Sequence, residues 1–193
     1  MRAPLSEIKN FVKSNVSPSR YQHILGVMQM AKVLAARNGV DVAEAEVAAL
    51  LHDVAKEQDI SQTKTMLQLK GESDYLNYDE FIWHGPMGAI VAADVMGITN
   101  ENILNAIKFH VTGRARMSEL EKIIFIADYI EPGRTYEHCI KARALYYSCR
   151  DLDQTMYEML KDNLRNKRKW NQHPDSDAAY AYFQEKIDIQ EAL

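Results

Sequence analysis

The spacing of the apolar residues constrains the fold of this chain more than any other feature. Apolar residues recur at intervals of three and four along nearly the whole sequence, which is the pattern of helices that each bury one face. No run alternates between apolar and polar residues as a half-buried β-strand would. The sequence therefore predicts an all-α fold. The clearest helical series is Tyr21, Ile24, Leu25, Met28, Ala31 and Leu34.

Capping and breaking residues predict where the helices begin and end. Ser17 precedes a proline at a favourable first helical position, and Asp41 with Glu44 resembles a capping box. Glycines and a proline–glycine pair end several segments, whereas residues 72–86 are less regular and predict a loop or short turns. Helices are predicted over residues 6–14, 17–39, 41–56, 60–70, 86–97, 100–110, 118–130, 136–148, 151–170 and 175–189.

Composition, charge and cysteine content exclude several classes of protein. The 193 residues are 47% hydrophobic and show no linker or repeat, so we expect one domain over residues 1–193. A net charge of −4 does not attract nucleic acid polymers, and no apolar run is long enough for a membrane span. Cys139 and Cys149 form no CxxC pair, and the N-terminus lacks the apolar core of a signal peptide, which indicates a cytoplasmic protein. Whether it forms a homodimer is left open.

An adjacent histidine and aspartate, His52-Asp53, interrupt the apolar stretch VAALLHDVAK. Burying an ionised carboxylate without a partner is costly, so something must compensate it, and a metal ion is the strongest candidate. Asp128 interrupts the apolar stretch IIFIADYI and raises the same problem. The remaining candidate ligands are His23, His84 and His110.

Each of these three histidines has an ordinary structural explanation when taken alone. His23 fits a partly buried core histidine, His84 fits a loop before a helix, and His110 fits a helix C-terminus, where the dipole favours a cation. Two carboxylates and four histidines together, however, indicate metal binding. Imidazole and carboxylate ligands without thiolate suit Fe, Mn, Zn, Co or Ni. Their number fits either two ions bridged by Asp53 or one octahedral ion with open positions.

Basic residues near these ligands indicate a substrate that carries phosphate. Lys56 is expected one turn after His52 on the same helix and facing the same cleft, although a solvated lysine at a helix end is an equal alternative. A glycine permits close backbone approach, and hydroxyl and guanidinium groups bind phosphate oxygens. The candidate phosphate-binding residues are Arg20, Lys56, Thr112, Gly113, Arg114 and Arg134.

Four stretches together resemble the YqeK-type family of the HD-domain metal-dependent phosphohydrolases: SRYQHILGVMQMA, AALLHDVAK, WHGPMGA and FHVTGRARMSELEKIIFIADYIEPGR. The resemblance extends from about Arg20 to the C-terminal helix. It implies a helical bundle with a metal site in a central cleft, a metal-binding core over about residues 17–132, and C-terminal helices over 135–190 that close the nucleotide site. It also implies symmetrical cleavage of diadenosine tetraphosphate into two ADP, as by a bis(5'-nucleosyl)-tetraphosphatase, with one or two iron ions, for which Mn, Co or Ni can substitute.

The resemblance further implies roles for individual residues. The main metal would be held by His23, His52, Asp53 and Asp128. A second ion or the phosphates would be contacted by His84 and His110. The polyphosphate would be bound by Arg20, Lys56, Thr112, Gly113 and Arg134. The stretch HPDSDAAYAYF resembles the segment that closes over the nucleotide, and the candidate base or ribose contacts within it are His173, Pro174, Asp175 and Ser176.

These roles predict a mechanism and leave two alternatives open. Hydroxide generated at the metal and positioned by Asp53 would attack an internal phosphorus, with Lys56 as the second catalytic residue and ADP as the leaving group. The same ligands would serve a phosphohydrolase of a mononucleotide or of a guanosine polyphosphate. A nucleotide sensor that binds nucleoside diphosphate and turns over slowly is the alternative from another class. A purely structural adaptor would leave Asp53 and Asp128 unexplained.

Overall fold

The structure is a computed structural model that describes residues 3–166 and 173–192. Every regular element in these ranges is a helix, so the predicted all-α fold is confirmed. None of the described helices is long and apolar enough to cross a membrane. Two 3₁₀-helices, Ser73–Asn77 and Glu80–Ile82, occupy the segment predicted to be irregular. The α-helices are α1 Leu5–Asn15, α2 Pro18–Arg37, α3 Val42–Leu51, α4 Ile60–Leu69, α5 His84–Asp94, α6 Glu101–Lys108, α7 Glu119–Ile130, α8 Glu137–Cys149, α9 Leu152–Arg165 and α10 Pro174–Glu191.

Side-chain caps begin several helices at the predicted positions. The Ser17 hydroxyl accepts a hydrogen bond from the backbone N–H of Arg20, directly before Pro18. The Asp41 carboxylate accepts from the N–H of Glu44 in the same way. These caps satisfy N–H groups that the first turn of a helix leaves without a partner, which explains why α2 and α3 begin where they do.

The third helix is shorter than predicted. It ends at Leu51, and residues 52–57 form a series of turns. In these turns the N–H groups of Val54 and Lys56 donate to the carbonyls of Leu51 and Asp53, three residues earlier. The prediction that Lys56 continues the helix of His52 is therefore wrong, because the chain tightens into three-residue turns and the α-helical hydrogen bonds stop.

The fifth and sixth helices also differ from the prediction in their boundaries. The fifth helix begins at His84 rather than at Pro86, and Pro86 is its third residue. The missing N–H of proline costs little there, because N–H groups of the first turn have no helical acceptor. The sixth helix ends at Lys108, so His110 lies in the turn that follows. The predicted end of the ninth helix, residue 170, lies outside the described residues.

The helices pack around α3 and α7. Helix α2 lies against both of them, and α6 lies against α3, α5 and α7. Helix α9 contacts α7, α8 and α10, so the C-terminal helices cover α7 from the other side. One apolar cluster extends from Ile8 in α1 to Phe183 in α10. Several neighbouring helices therefore hold α3 and α7 in place. The same packing fixes the positions of the residues that directly follow α3 and of those near the end of α7.

Ion pairs join α9 to α7 and to α10. The Asp153 carboxylate accepts hydrogen bonds from Lys122, at 2.6 Å, and from Lys186. The Lys122 ammonium is almost completely buried. Burial raises the pKa of Asp153, but hydrogen bonds from the two lysines outweigh it, so the pKa lies below its ordinary value of 3.8. These two ion pairs therefore stabilise the packing of α9 against α7 and α10.

We expect Asp153→Asn to lower the free energy of unfolding at neutral pH by about 1–3 kcal/mol, because two ammonium groups lose a charged acceptor. The Asp153 pKa is lower in the folded than in the unfolded chain. Its stabilising effect is therefore complete above about pH 5 and is lost as the pH falls below 3.8. Urea unfolding at several pH values should show the difference between variant and wild type shrinking in acid.

Glu137→Gln is the matched control for this comparison. It breaks a fully exposed ion pair with Lys141 on α8 and is expected to leave the free energy of unfolding unchanged. A difference between Asp153→Asn and wild type that stayed constant into acid would contradict the assignment of the depressed pKa to this ion pair.

Candidate metal centre

Packing of the helices brings the predicted metal ligands together. His23 lies in the interior of α2, His52 directly follows α3, and Asp128 lies near the end of α7. Because α2 packs against both α3 and α7, these three side chains meet. His84, the first residue of α5, and His110, in the turn after α6, reach the same point from the other side.

The ligand atoms form two overlapping groups, within each of which all atoms lie within 4.8 Å of one another. The first group is His23, His52 and Asp128, and the second is His52, Asp53 and His110. In the first group, Asp128 Oδ1 lies 2.9 Å from His23 Nε2 and 3.8 Å from His52 Nε2. His52 belongs to both groups and is completely buried.

Asp53 belongs to the second group, and its two carboxylate oxygens face different histidines of the centre. Its Oδ2 is 3.7 Å from His23 Nε2 and 3.6 Å from His52 Nε2. Its Oδ1 is 3.2 Å from His84 Nε2 and 3.6 Å from His110 Nε2. The carboxylate could therefore be a ligand on either side.

Two ring nitrogens at this centre lack the hydrogen bonds that buried polar atoms normally have. The Nε2 atoms of His23 and His52 are buried, and no hydrogen bond from the described residues satisfies them. The ionised carboxylates close to them cannot donate one. A cation that accepted their lone pairs would satisfy both atoms. The residues present therefore fit a divalent ion with imidazole and carboxylate ligands.

The backbone holds the other ring nitrogen of three of the histidines. In each, Nδ1 lies 2.6–2.7 Å from a carbonyl oxygen three residues earlier, so that Nδ1–H donates and Nε2 keeps its lone pair. The Nε2 atoms of His84 and His110 face each other at 3.1 Å, which favours a shared cation. The histidine and carbonyl pairs are His52 with Ala49, His84 with Phe81, and His110 with Ile107.

Burial and charge set the protonation of this centre. Burial lowers the pKa of His52 and of His84 to about 4. Burial alone would raise the pKa of Asp53 and of Asp128, but the neighbouring histidines, and for Asp128 also Arg134, hold both well below the ordinary value of 3.8. At neutral pH these four residues are therefore neutral imidazoles and ionised carboxylates, the forms that bind metal.

Two arginines contact the carboxylates of the centre. Arg20 Nη1 donates to Asp53 Oδ2 at 2.7 Å, and Arg134 Nη2 donates to Asp128 Oδ1 at 2.7 Å. Both arginines also line the cleft into which the centre opens. A guanidinium group binds phosphate as well as carboxylate, so both side chains are placed to contact an anionic ligand.

Lys56 reaches the centre from the turn that follows α3. Its Nζ lies 3.2 Å from both ring nitrogens of His84 and 3.4 Å from the centroid of the Phe81 ring. Burial lowers the pKa of Lys56 to about 8, against the attraction of Asp53 and Asp128. The lysine thus faces the cleft as expected, although its position does not come from helical spacing.

The centre opens into a cavity of 370 Å³, which we call the metal cleft and which has a size typical of small-ligand sites. One end holds the predicted ligands and cations. The other end contains aromatic and polar side chains that sequence reasoning did not select. The Tyr129 hydroxyl donates to Asn163 Oδ1 at 3.0 Å and fixes that amide. Those side chains are Tyr129, Tyr136, His138 and Asn163, whereas Phe81, which was not selected either, lies beside Lys56 and His84.

Several residues predicted to bind substrate lie outside the described lining of the metal cleft. Arg114 makes two hydrogen bonds to Glu121, at 2.6 and 2.9 Å. The Thr112 carbonyl accepts from the buried Ser176 hydroxyl at 2.8 Å, which joins the start of α10 to this turn. The remaining residues of this set form the turn and the start of α10, and their contact with substrate stays a prediction: Gly113, His173, Pro174 and Asp175.

His173 stacks on the ring of Tyr75, with centroids 4.8 Å apart, and touches Tyr78 edge to face. It also caps α10 by accepting from the N–H of Asp175. Its contacts are thus with the 3₁₀ segment and its own helix.

Sequence reasoning also missed Glu131, which it treated only as part of a turn. The carboxylate is buried, with Oε1 lying 3.2 Å from His23 Nδ1. Its Oε2 accepts from the backbone N–H of Gly133 at 2.6 Å. The signal available in the sequence was an acidic residue next to the predicted ligand helix, at the start of the Pro132-Gly133 turn.

Comparison with known proteins places this geometry in a family. The family model described as HD domain matches residues 20–133, a range that includes all six predicted metal ligands. The chain belongs to the HD domain family.

Relatives of this HD-domain chain share most of its length. A protein from Halalkalibacterium halodurans named bis(5'-nucleosyl)-tetraphosphatase, symmetrical, is 41% identical over 172 residues, which cover 88% of the chain and 91% of the relative. A protein of the same name from Bacillus subtilis is 37% identical with the same coverage. The crystal structure of a predicted HD superfamily hydrolase involved in NAD metabolism from Clostridium acetobutylicum has a TM-score of 0.88 and 32% identity, covering 96% of this chain and 100% of that one.

Because His52 belongs to both ligand groups, we expect His52→Ala to abolish binding of Mn²⁺, whether the centre holds one ion or two. Equilibrium dialysis with metal analysis would measure this, and circular dichroism would verify that the variant is folded. His138→Ala is the control, since His138 lines the metal cleft but belongs to neither group. If the folded His52→Ala variant bound Mn²⁺ as well as the wild type does, the assignment of the metal site to this centre would be wrong.

Proposed function

We propose that this HD-domain protein is a metal-dependent hydrolase that cleaves diadenosine tetraphosphate symmetrically into two molecules of ADP. The observation that carries the proposal is the buried Asp53 carboxylate, whose two oxygens face four histidines, with three cationic side chains in the same cleft. The names of relatives that share 41% and 37% identity over most of the chain support the substrate and the position of cleavage. Iron is the proposed metal, and Mn, Co or Ni are substitutes with the same ligand preference.

The proposed ligands are the members of the two groups together with His84. His23, His52, Asp53 and Asp128 hold the main ion, and His84 with His110 holds a second ion or contacts the phosphates. When bound, the metal supplies Lewis-acid activation of water and polarises phosphoryl oxygens. Asp53 is the proposed catalytic carboxylate, because its two oxygens face both halves of the centre and can orient the attacking water towards an internal phosphorus.

The cations of the cleft bind and neutralise the polyphosphate in this proposal. Arg20 and Arg134 each lie against a carboxylate of the centre and can exchange part of that contact for phosphate oxygens. Lys56, beside His84, is placed to neutralise the charge that develops on the departing ADP. Hydrolysis of a phosphoanhydride depends on such positioning and electrostatics more than on a protein nucleophile.

The shape of the cavities is consistent with a substrate that has two nucleoside ends. Tyr129, Tyr136 and Asn163 give the far end of the metal cleft the aromatic faces and fixed amide that suit a nucleoside. A second cavity of 500 Å³ adjoins the cleft, since both are lined by Lys56 and Phe81. The polyphosphate would lie between them, along the centre.

A cytoplasmic location is part of the proposal. Cys139 is buried and Cys149 is exposed, and neither takes part in a disulfide within the described ranges. Cysteines that form no disulfide with each other fit a reducing compartment. Homodimer formation stays a prediction.

The proposal predicts the products formed from diadenosine tetraphosphate. Purified protein with Fe²⁺, Mn²⁺ or Co²⁺ should yield ADP as the sole product on anion-exchange chromatography, and a chelator should abolish turnover. Formation of AMP with ATP would contradict symmetrical cleavage but retain the metal hydrolase. Absence of turnover with every metal would favour the mononucleotide or guanosine polyphosphate phosphohydrolase, or the nucleotide sensor.

Variants of two aspartates test the proposed catalytic role of Asp53 in the same assay. Asp53→Asn should lower kcat by about 100-fold or more in metal-supplemented protein, because it removes charge at the reacting phosphorus. Asp94→Asn is the control, since Asp94 is an exposed residue of α5 paired with Lys70. Full activity of Asp53→Asn would exclude the proposed catalytic role.

A further inference from the structure

His23 differs from the other three histidines of the centre because it lies inside a helix. His52, His84 and His110 lie at helix ends or in turns, where a carbonyl three residues earlier accepts the Nδ1 proton. In the interior of α2 the backbone carbonyls are occupied by the helical hydrogen bonds. His23 therefore needs a side chain to orient its ring, and Glu131 Oε1 lies 3.2 Å from its Nδ1.

Glu131 is itself held at both oxygens. Its side chain is buried at the C-terminal end of α7, and only 4% of the residue is exposed. While Oε1 faces His23, Oε2 accepts from the N–H of Gly133 at 2.6 Å. The carboxylate thus has a fixed direction, and its acceptor oxygen requires a proton on His23 Nδ1. Nε2 then faces Asp128 Oδ1 at 2.9 Å and Asp53 Oδ2 at 3.7 Å, where a metal ion would take its lone pair.

Gly26 provides the space for this carboxylate. It lies one turn after His23 on the same face of α2, where alanine would be the more favourable helical residue. A Cβ atom at position 26 would lie 2.5 Å from Glu131 Oε2. The carboxylate would have to move, and it would then lose the contacts that fix it to His23 and Gly133.

We propose that Glu131 is a positioning residue that fixes His23 in the Nδ1–H tautomer, so that Nε2 is free to bind the metal, and that Gly26 is required to accommodate it. The inference rests on the metal centre of the proposed function. It extends that centre by a carboxylate–histidine pair of the kind that orients metal ligands. Three histidines obtain this orientation from the backbone, and His23 obtains it from Glu131.

The tautomer can be measured without substrate. Long-range ¹H–¹⁵N spectra of ¹⁵N-histidine-labelled protein loaded with diamagnetic Zn²⁺, at a pH above the titration range of histidine, should show His23 protonated at Nδ1. Glu131→Gln should shift His23 towards Nε2–H, because the amide cannot accept from both His23 and Gly133. A His23 protonated at Nε2 in the wild-type protein would overturn the proposal, whether or not any variant folds.

Metal affinity gives a second readout that also needs no turnover. Glu131→Gln should weaken Mn²⁺ binding by about 10–100-fold, measured by electron paramagnetic resonance, because loss of such a partner has effects of this size. Glu121→Gln is the matched control, since Glu121 is a buried carboxylate on the same helix whose partner is Arg114. Equal Mn²⁺ affinity of folded Glu131→Gln and wild type would overturn the proposal.

Gly26→Ala tests the space for the carboxylate. In the wild-type background it should weaken Mn²⁺ binding, because Glu131 is displaced. In the Glu131→Ala background it should leave Mn²⁺ affinity unchanged and raise the Tm, because alanine is the better helical residue. If Gly26→Ala changed Mn²⁺ affinity equally in both backgrounds, the proposed dependence of Glu131 on Gly26 would be wrong. None of these readouts uses diadenosine tetraphosphate, so a failure of the hydrolase assay would leave them interpretable.

Discussion

The buried carboxylate of Asp53 is the group on which the rest of the centre depends. Only 3% of the residue is exposed, and removing an ionised carboxylate from water is costly unless charges and donors surround it. Arg20 supplies one charged contact, and the ring nitrogens of His84 and His110 face the other oxygen. These partners come from α2, α5 and the turn after α6, so the packing of those helices and the electrostatics of the carboxylate constrain each other.

Helix ends supply much of the polar framework of this site. The last carbonyls of a helix have no helical partner. At the end of α3 and of α6 such carbonyls accept from His52 and His110 and direct their Nε2 atoms into the centre. An all-helical fold can thus orient metal ligands that lie just beyond helix ends without a sheet or a long loop. Asp128, before the end of α7, is oriented by Arg134 in the next turn.

Local patterns in the sequence were sufficient to predict the fold and to select the six candidate ligands that the structure brings together. Apolar periodicity predicts the helices, and polar residues inside apolar stretches, such as Asp53 and Asp128, stand out because burial without a partner is unfavourable. The turns of residues 52–57 were not predictable from periodicity, since the three-residue hydrogen bonds keep the apolar pattern of a helix. Glu131 was missed because its partner, His23, is 108 residues away in the sequence.

The two ends of the metal cleft come from different parts of the chain. The HD domain match ends at residue 133, and it contains every predicted metal ligand. Tyr136, His138 and Asn163, which line the opposite end, follow it in α8, α9 and the turn before them. The similarity to the Halalkalibacterium halodurans protein spans 172 residues and so extends beyond residue 133. Because a metal centre of imidazoles and carboxylates serves many phosphate esters and anhydrides, we expect the choice of substrate to depend on those later residues, which line the same cleft as the predicted ligands.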